Sequence, residues 1–161
     1  MILAIDPGNI ESGITLIDEK TLRPIMAEKI NNEELIERIY GGIGVEHAAI
    51  EMIASYGMAV GQTVFETCVW IGRFQEALMF VNSETKIKYI YRKDEKMNLC
   101  NSMRAKDSNI IQALVDRFAP NTPNKGKGSK KVPGWFYGFK KDIWQAYAVG
   151  VTYYDMYLKE K

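Results

Sequence analysis

Residues 2–5, Ile2-Leu3-Ala4-Ile5, are apolar without interruption, and an acid, Asp6, follows at once. A strand with no polar alternation is buried on both faces, which places it inside a sheet covered by helices on either side. Asp6-Pro7-Gly8 ends it, because proline cannot join a ladder and glycine frees the turn. In a chain of 161 residues, a central strand of this kind predicts one α/β domain rather than a bundle or a sandwich.

The other elements follow from their periodicity. Ser12–Asp18 and Ile25–Ile30 read as strands joined by a turn. Asn31 or Asn32 can cap a helix carrying Leu35, Ile36 and Ile39, stopped at Gly41-Gly42. Ala48–Ile53 is a second strand of the buried type, and Ile87–Tyr91 a short one. Residues 59–81 are apolar beyond a single helical stripe, so that helix is expected to be covered on more than one side. Cys68 reads as a buried thiol there, and Met52, Met58, Met79 and Met103 as core filling. A helix from Asp107 or Ser108 and a last one from Lys141 to Leu158 complete the chain. The order predicts a mixed five-stranded sheet flanked by helices. Two cysteines and one histidine, without metal-ligand spacing, argue against a zinc site and fit a reduced, cytoplasmic protein. No secretory leader and no membrane span are expected.

Charge is distributed unevenly. Residues 120–141 hold Lys125, Lys127, Lys130, Lys131, Lys140 and Lys141 and no acid, so 15 basic residues face 20 acidic ones elsewhere. Pro120, Pro123 and Pro133 interrupt all periodicity between 120 and 140, which reads as a long, flexible basic loop. A basic arm on an acidic body suits a polyanion, and Trp135, Phe136, Tyr137 and Phe139 suit either exposed bases or anchoring of the loop to the core. Arg104 and Lys106 are assigned to the same surface.

Acids also stand where strands end. Asp6 closes an apolar run, and Glu51 is embedded in Ala-Ala-Ile-Glu-Met-Ile. Side by side on parallel strands the two carboxylates would repel, and a divalent cation with a preference for oxygen relieves that. Asp6 also suits a turn, and Glu51 a buried arginine. Asp142, at the head of the last helix, suits either a third ligand or a helix cap.

These motifs resemble the RuvC-type Holliday-junction resolvases of the ribonuclease H-like superfamily, in a phage-like version. The opening strand with Asp6-Pro7-Gly8, then Ala49-Ile50-Glu51, then Asp142-Ile143-Trp144-Gln145-Ala146-Tyr147-Ala148-Val149 follow the family's order and spacing across nearly the whole chain. The resemblance implies a homodimer that cuts branched DNA with two Mg²⁺ ions, Mn²⁺ substituting, held by Asp6, Glu51 and Asp142. It implies no nucleotide cofactor: the second phosphate-binding Asp-x-Gly of sugar kinases is missing. Gln145 departs from the family, whose helix carries an acid there. Its carbonyl can still coordinate; three acids suffice, or Asp107 or another acid completes the site, or activity is weakened, with the N-cap of its helix the simplest role for Asp107. Tyr56, soon after Glu51, is a candidate junction wedge, and His47 reads as structural.

Overall fold

The computed structural model describes residues 1–160. Five strands, β1 (Ile2–Asp6), β2 (Glu11–Ile17), β3 (Pro24–Asn31), β4 (His47–Met52) and β5 (Lys86–Tyr91), form one sheet in the order β3-β2-β1-β4-β5. The first three make an antiparallel meander, and β4 and β5 run parallel to β1. The expected mixed sheet is present, with the unbroken apolar run of β1 at its centre.

Helices cover both faces. On one side lie α1 (Asn32–Tyr40) and α2 (Gln62–Val81), packed over Leu3, Ile5, Ala48 and Ile50. On the other lie α4 (Asp107–Phe118) and α5 (Lys141–Tyr153), over Ile2, Ala4, Ala49 and Ile90. Side chains alternate along a strand, so Asp6 follows Ile2 and Ala4, and Glu51 follows Ala49, onto the α5 face. Asn31 caps α1, accepting from the Glu33 backbone N–H at 3.0 Å.

The long apolar helix α2 is covered less than its sequence implied. Ile71, Phe74, Ala77 and Leu78 are buried, whereas Phe65, Val69 and Phe80 are exposed. Cys68 is exposed as well, not a buried thiol. Met58, Met79 and Met103 are likewise exposed, and only Met52 joins a core. The reason is geometric: one stripe of α2, with Ile71, Phe74, Ala77 and Leu78, packs on the sheet and α1, and the apolar residues outside that stripe face away from it.

Residues 120–140, expected as a loop, are one, but a shaped one. A single 3₁₀ turn spans Asn124–Gly126, and Gly128 and Pro133 pair as an isolated bridge. The aromatics serve as anchors: Phe136 and Phe139 are buried, and Trp135 stacks on Phe118 while donating to the Tyr147 hydroxyl at 3.0 Å. Lys130 and Lys131 sit at the exposed tip. One element has no counterpart among the periodic segments of the sequence: a short helix, α3 (Arg92–Cys100), continues directly from β5.

Two glycines bring α5 hard against the sheet. A Cβ at Gly13 would overlap the backbone carbonyl of Asp142, and one at Gly150 would lie 2.9 Å from Ala4 Cβ and inside Ile17. Gly13→Ala and Gly150→Ala should each destabilise the fold by about 1–3 kcal/mol in urea unfolding. Gly13→Ala should in addition displace the head of α5, and with it Asp142.

Candidate active site

The register of the central strands decides the site. Ile5 pairs with Ile50 across the parallel β1–β4 ladder, so Asp6 and Glu51, the next residues, end up adjacent at the same edge of the sheet. On the other flank Asp6 pairs with Gly13, over which α5 begins. The turn after Asp6 is pinned by a small network. Gly8 N–H donates to Ser12 Oγ at 3.3 Å, Ser12 Oγ donates to Asn32 Oδ1 at 2.6 Å, and Asn32 Nδ2 donates to the Gly8 carbonyl at 2.9 Å.

The acidic groups interact as like charges in a poorly solvated place. Burial first, then repulsion from Glu51 and a hydrogen bond shared with it, push the Asp6 carboxyl up to about 9, with smaller contributions from Asp142 and Glu95. Asp142 turns outward to Lys29, whose ammonium lies 2.9 Å from Asp142 Oδ2 and 3.5 Å from Glu11 Oε2. Asp6, Lys29 and Asp142 line one cleft of about 390 Å³. A second, of about 690 Å³, shares Lys29 and Asp142 with it and adds Lys127, Lys140 and Lys141. The carboxylates therefore open onto a basic groove.

Helix α3 supplies the part that the sequence did not reveal. Glu95 is fully buried. Burial and repulsion from Glu51 push its carboxyl up to about 9, against the opposing pull of Arg92. Arg92 donates through Nη1 to Glu95 Oε2 at 2.7 Å and to Gln145 Oε1, and through Nη2 to Asp107. The carbonyl oxygen of Gln145 thus accepts from a guanidinium. Asp107 is the first residue of α4 rather than its cap, and its carboxylate closes the same network from the exposed side.

Comparison with solved structures places this arrangement. The chain superposes on Thermus thermophilus RuvC with a TM-score of 0.64 at 16% identity, over 96% of this chain and 95% of that one. The chain has the RuvC fold. T. thermophilus RuvC in complex with Holliday junction substrate gives 0.64 at 14% identity, over 94% and 91% of the two chains. Fowlpox virus resolvase with its substrate Holliday junction DNA gives 0.60 at 16%, over 97% and 99%. No family model and no curated protein sequence matches. The ribonuclease H-like sheet expected from the motifs is the sheet observed.

Within this RuvC fold, Asp6 and Glu51 are brought together, with Asp142 beside them on the lysine side. Arg104 and Lys106 are exposed on the α3–α4 connection, next to Asp107. Tyr56 lies in the loop beyond β4, 68% exposed and with φ of 47°. The tightest metal-like grouping among the described residues is a different one, Glu19, Glu46 and His47, at the opposite end of β1 and β4. Protein groups already occupy it: Glu19 binds the N-terminal ammonium at 2.9 Å, and His47 Nδ1 meets the Tyr153 hydroxyl at 2.9 Å. His47 is structural, as expected.

The donor set around Asp6 fits a hard divalent cation. It consists of carboxylate oxygens, without thiolate or imidazole, and its mutual repulsion is what such an ion removes. Asp6 and Glu95 take up protons on folding between their ordinary values, 3.8 and 4.5, and about 9. The folded state then binds more protons than the unfolded one, so stability falls as pH rises through that window. In chelator, the melting temperature should decline from about pH 6 to about pH 9. Asp6→Asn should flatten that decline; an equally steep profile in the variant would contradict the assignment.

Proposed function

We propose that this protein is a metal-dependent, structure-selective DNA endonuclease that resolves four-way junctions or related branched DNA. The observation that carries the reading is the joining of two features. Asp6 and Glu51 lie side by side at the ends of the central strands of a RuvC-fold sheet, and the cleft that Asp6 lines continues into a lysine-lined groove through Lys29 and Asp142. The solved structures that share the fold include two proteins bound to Holliday junction DNA.

Asp6, Glu51 and Asp142 are the proposed ligands of two Mg²⁺ ions, with Mn²⁺ as substitute. Bound there, the ions supply an activated water and charge stabilisation for the leaving oxygen. The rest falls to this chain's own groups. Lys29, Lys127, Lys140 and Lys141 would hold the strand's phosphates along the groove, and Lys125, Lys130, Lys131, Arg104 and Lys106 would extend the contact outward. Lys29 neutralises Asp142 and is placed to pass from that carboxylate to a phosphate. Gln145, engaged by Arg92, orients the guanidinium instead of serving as a principal ligand. Tyr56, exposed on its loop, is the proposed wedge. A homodimer would place one such cleft on each of two equivalent strands, and the exposed Phe65, Val69 and Phe80 of α2 are a suitable contact face.

The deciding experiment incubates labelled four-way junction and linear duplex with the protein in Mg²⁺, Mn²⁺ or EDTA. Symmetric, metal-dependent cuts in the junction alone are expected. Asp6→Asn, Glu51→Gln and Asp142→Asn should each lower cleavage more than about 100-fold while junction binding persists. Tight binding without cuts under every metal would instead make the chain a junction-binding protein of the same fold.

The lysines should fail differently. Replacing Lys125, Lys127, Lys130 and Lys131 together should reduce the log–log salt slope of binding by roughly 0.9 for each phosphate no longer neutralised. Junction and duplex should weaken alike, and the metal requirement should stay as it was. An unchanged slope would remove the loop from the interface.

A further inference from the structure

The RuvC-fold site of this chain is short of one acid, because Gln145, a neutral amide whose oxygen accepts from Arg92, stands where a second carboxylate on α5 is expected. From the geometry we infer that Glu95, on α3, is the missing ligand: a fourth carboxylate that completes the proposed metal centre beside Asp6 and Glu51. The inference rests on the metal-dependent reading above and names a residue of that same site.

Three observations support it. Glu95 is 0% exposed, and its Oε1 has no hydrogen-bond partner among the described residues. A buried carboxylate oxygen without a donor is an unsatisfied acceptor, and structures rarely keep one that has no use. Its other oxygen, Oε2, is fixed by Arg92 at 2.7 Å. One oxygen anchored by a supporting donor and the other left bare is the posture of a monodentate ligand, since ligating carboxylates are themselves held by hydrogen bonds. The bare oxygen also belongs to a carboxyl close enough to Glu51 and Asp6 to repel both. A purely structural partner for Arg92 would have no need of that crowding, because Gln145 and Asp107 already accept from the guanidinium.

This assignment gives α3 and Arg92 a purpose. Arg92 acts as a positioning residue: it turns Glu95 and Gln145 by their oxygens and balances part of the added charge. The ligand missing from α5 is replaced from the helix that follows β5.

The test measures Mn²⁺ binding by electron paramagnetic resonance on the protein without DNA, so that it does not depend on turnover. Glu95→Gln keeps the shape, the burial and an oxygen for Arg92, and it should weaken Mn²⁺ binding roughly tenfold or more or remove one bound ion. Its melting temperature in chelator should be equal to or above that of the wild type. Affinity and stoichiometry within twofold of wild type would overturn the inference while leaving the nuclease reading intact. The wild-type protein crystallised with Mn²⁺ gives a check that needs no variant. An anomalous peak coordinated by Glu95 Oε1 is expected. A peak on Asp6 and Glu51 that leaves Glu95 uncoordinated would overturn the assignment of Glu95 alone, and no peak in the cleft would overturn the metal centre as well.

Discussion

Two carboxylates held side by side in a poorly solvated place repel one another, and this chain puts Asp6 and Glu51 in that relation through the register of its central parallel strands. The rest of the site is arranged around the constraint. Lys29 draws Asp142 outward, Arg92 gathers Glu95, Gln145 and Asp107, and Gly13 beneath the head of α5 lets it approach closely enough for Asp142 to add to the crowding. Repulsion of this kind lowers stability in the empty protein. The same repulsion is what makes the cleft attractive to a divalent cation and, through the neighbouring lysines, to a phosphodiester.

Most of the fold was legible because its strands and helices obey simple periods. The apolar run of β1 and the Ala-Ala-Ile of β4 could only be buried on both faces, and both are. Asn31 as the cap of α1 and the aromatic anchors of the lysine loop also follow from local chemistry. In α2 the apolar pattern is real, but the chain does not cover all of it. Phe65, Val69 and Cys68 widen the helical apolar face, yet they stay exposed. Periodicity reports which residues share a face, not whether the chain itself covers that face.

The site was legible where it lies on strands and hidden where it lies on α3. Arg92-Lys93-Asp94-Glu95-Lys96 looks like a solvated charge run, with no apolar stripe to mark a helix. Its helical state comes from tertiary packing and from Asp94, whose side chain accepts the Tyr91 backbone N–H at 3.0 Å. Nothing local distinguishes the one charge in that run that is buried. The acid three residues beyond a capped strand end was the available signal, and it marks the helix start without revealing Glu95. Gln145 did point to a gap in the ligand set, and the structure adds that its oxygen is taken by Arg92.

The account stands or falls on whether a metal held by these carboxylates contacts the phosphate that is cut. Four-way junctions with a single phosphorothioate at the cleavage position, in each of its two configurations, measure this directly. Sulfur binds Mg²⁺ poorly and the softer Mn²⁺ better. Cleavage should collapse with Mg²⁺ for one configuration and recover with Mn²⁺. Equal cleavage of both configurations with Mg²⁺, at the rate of the unmodified junction, would contradict it.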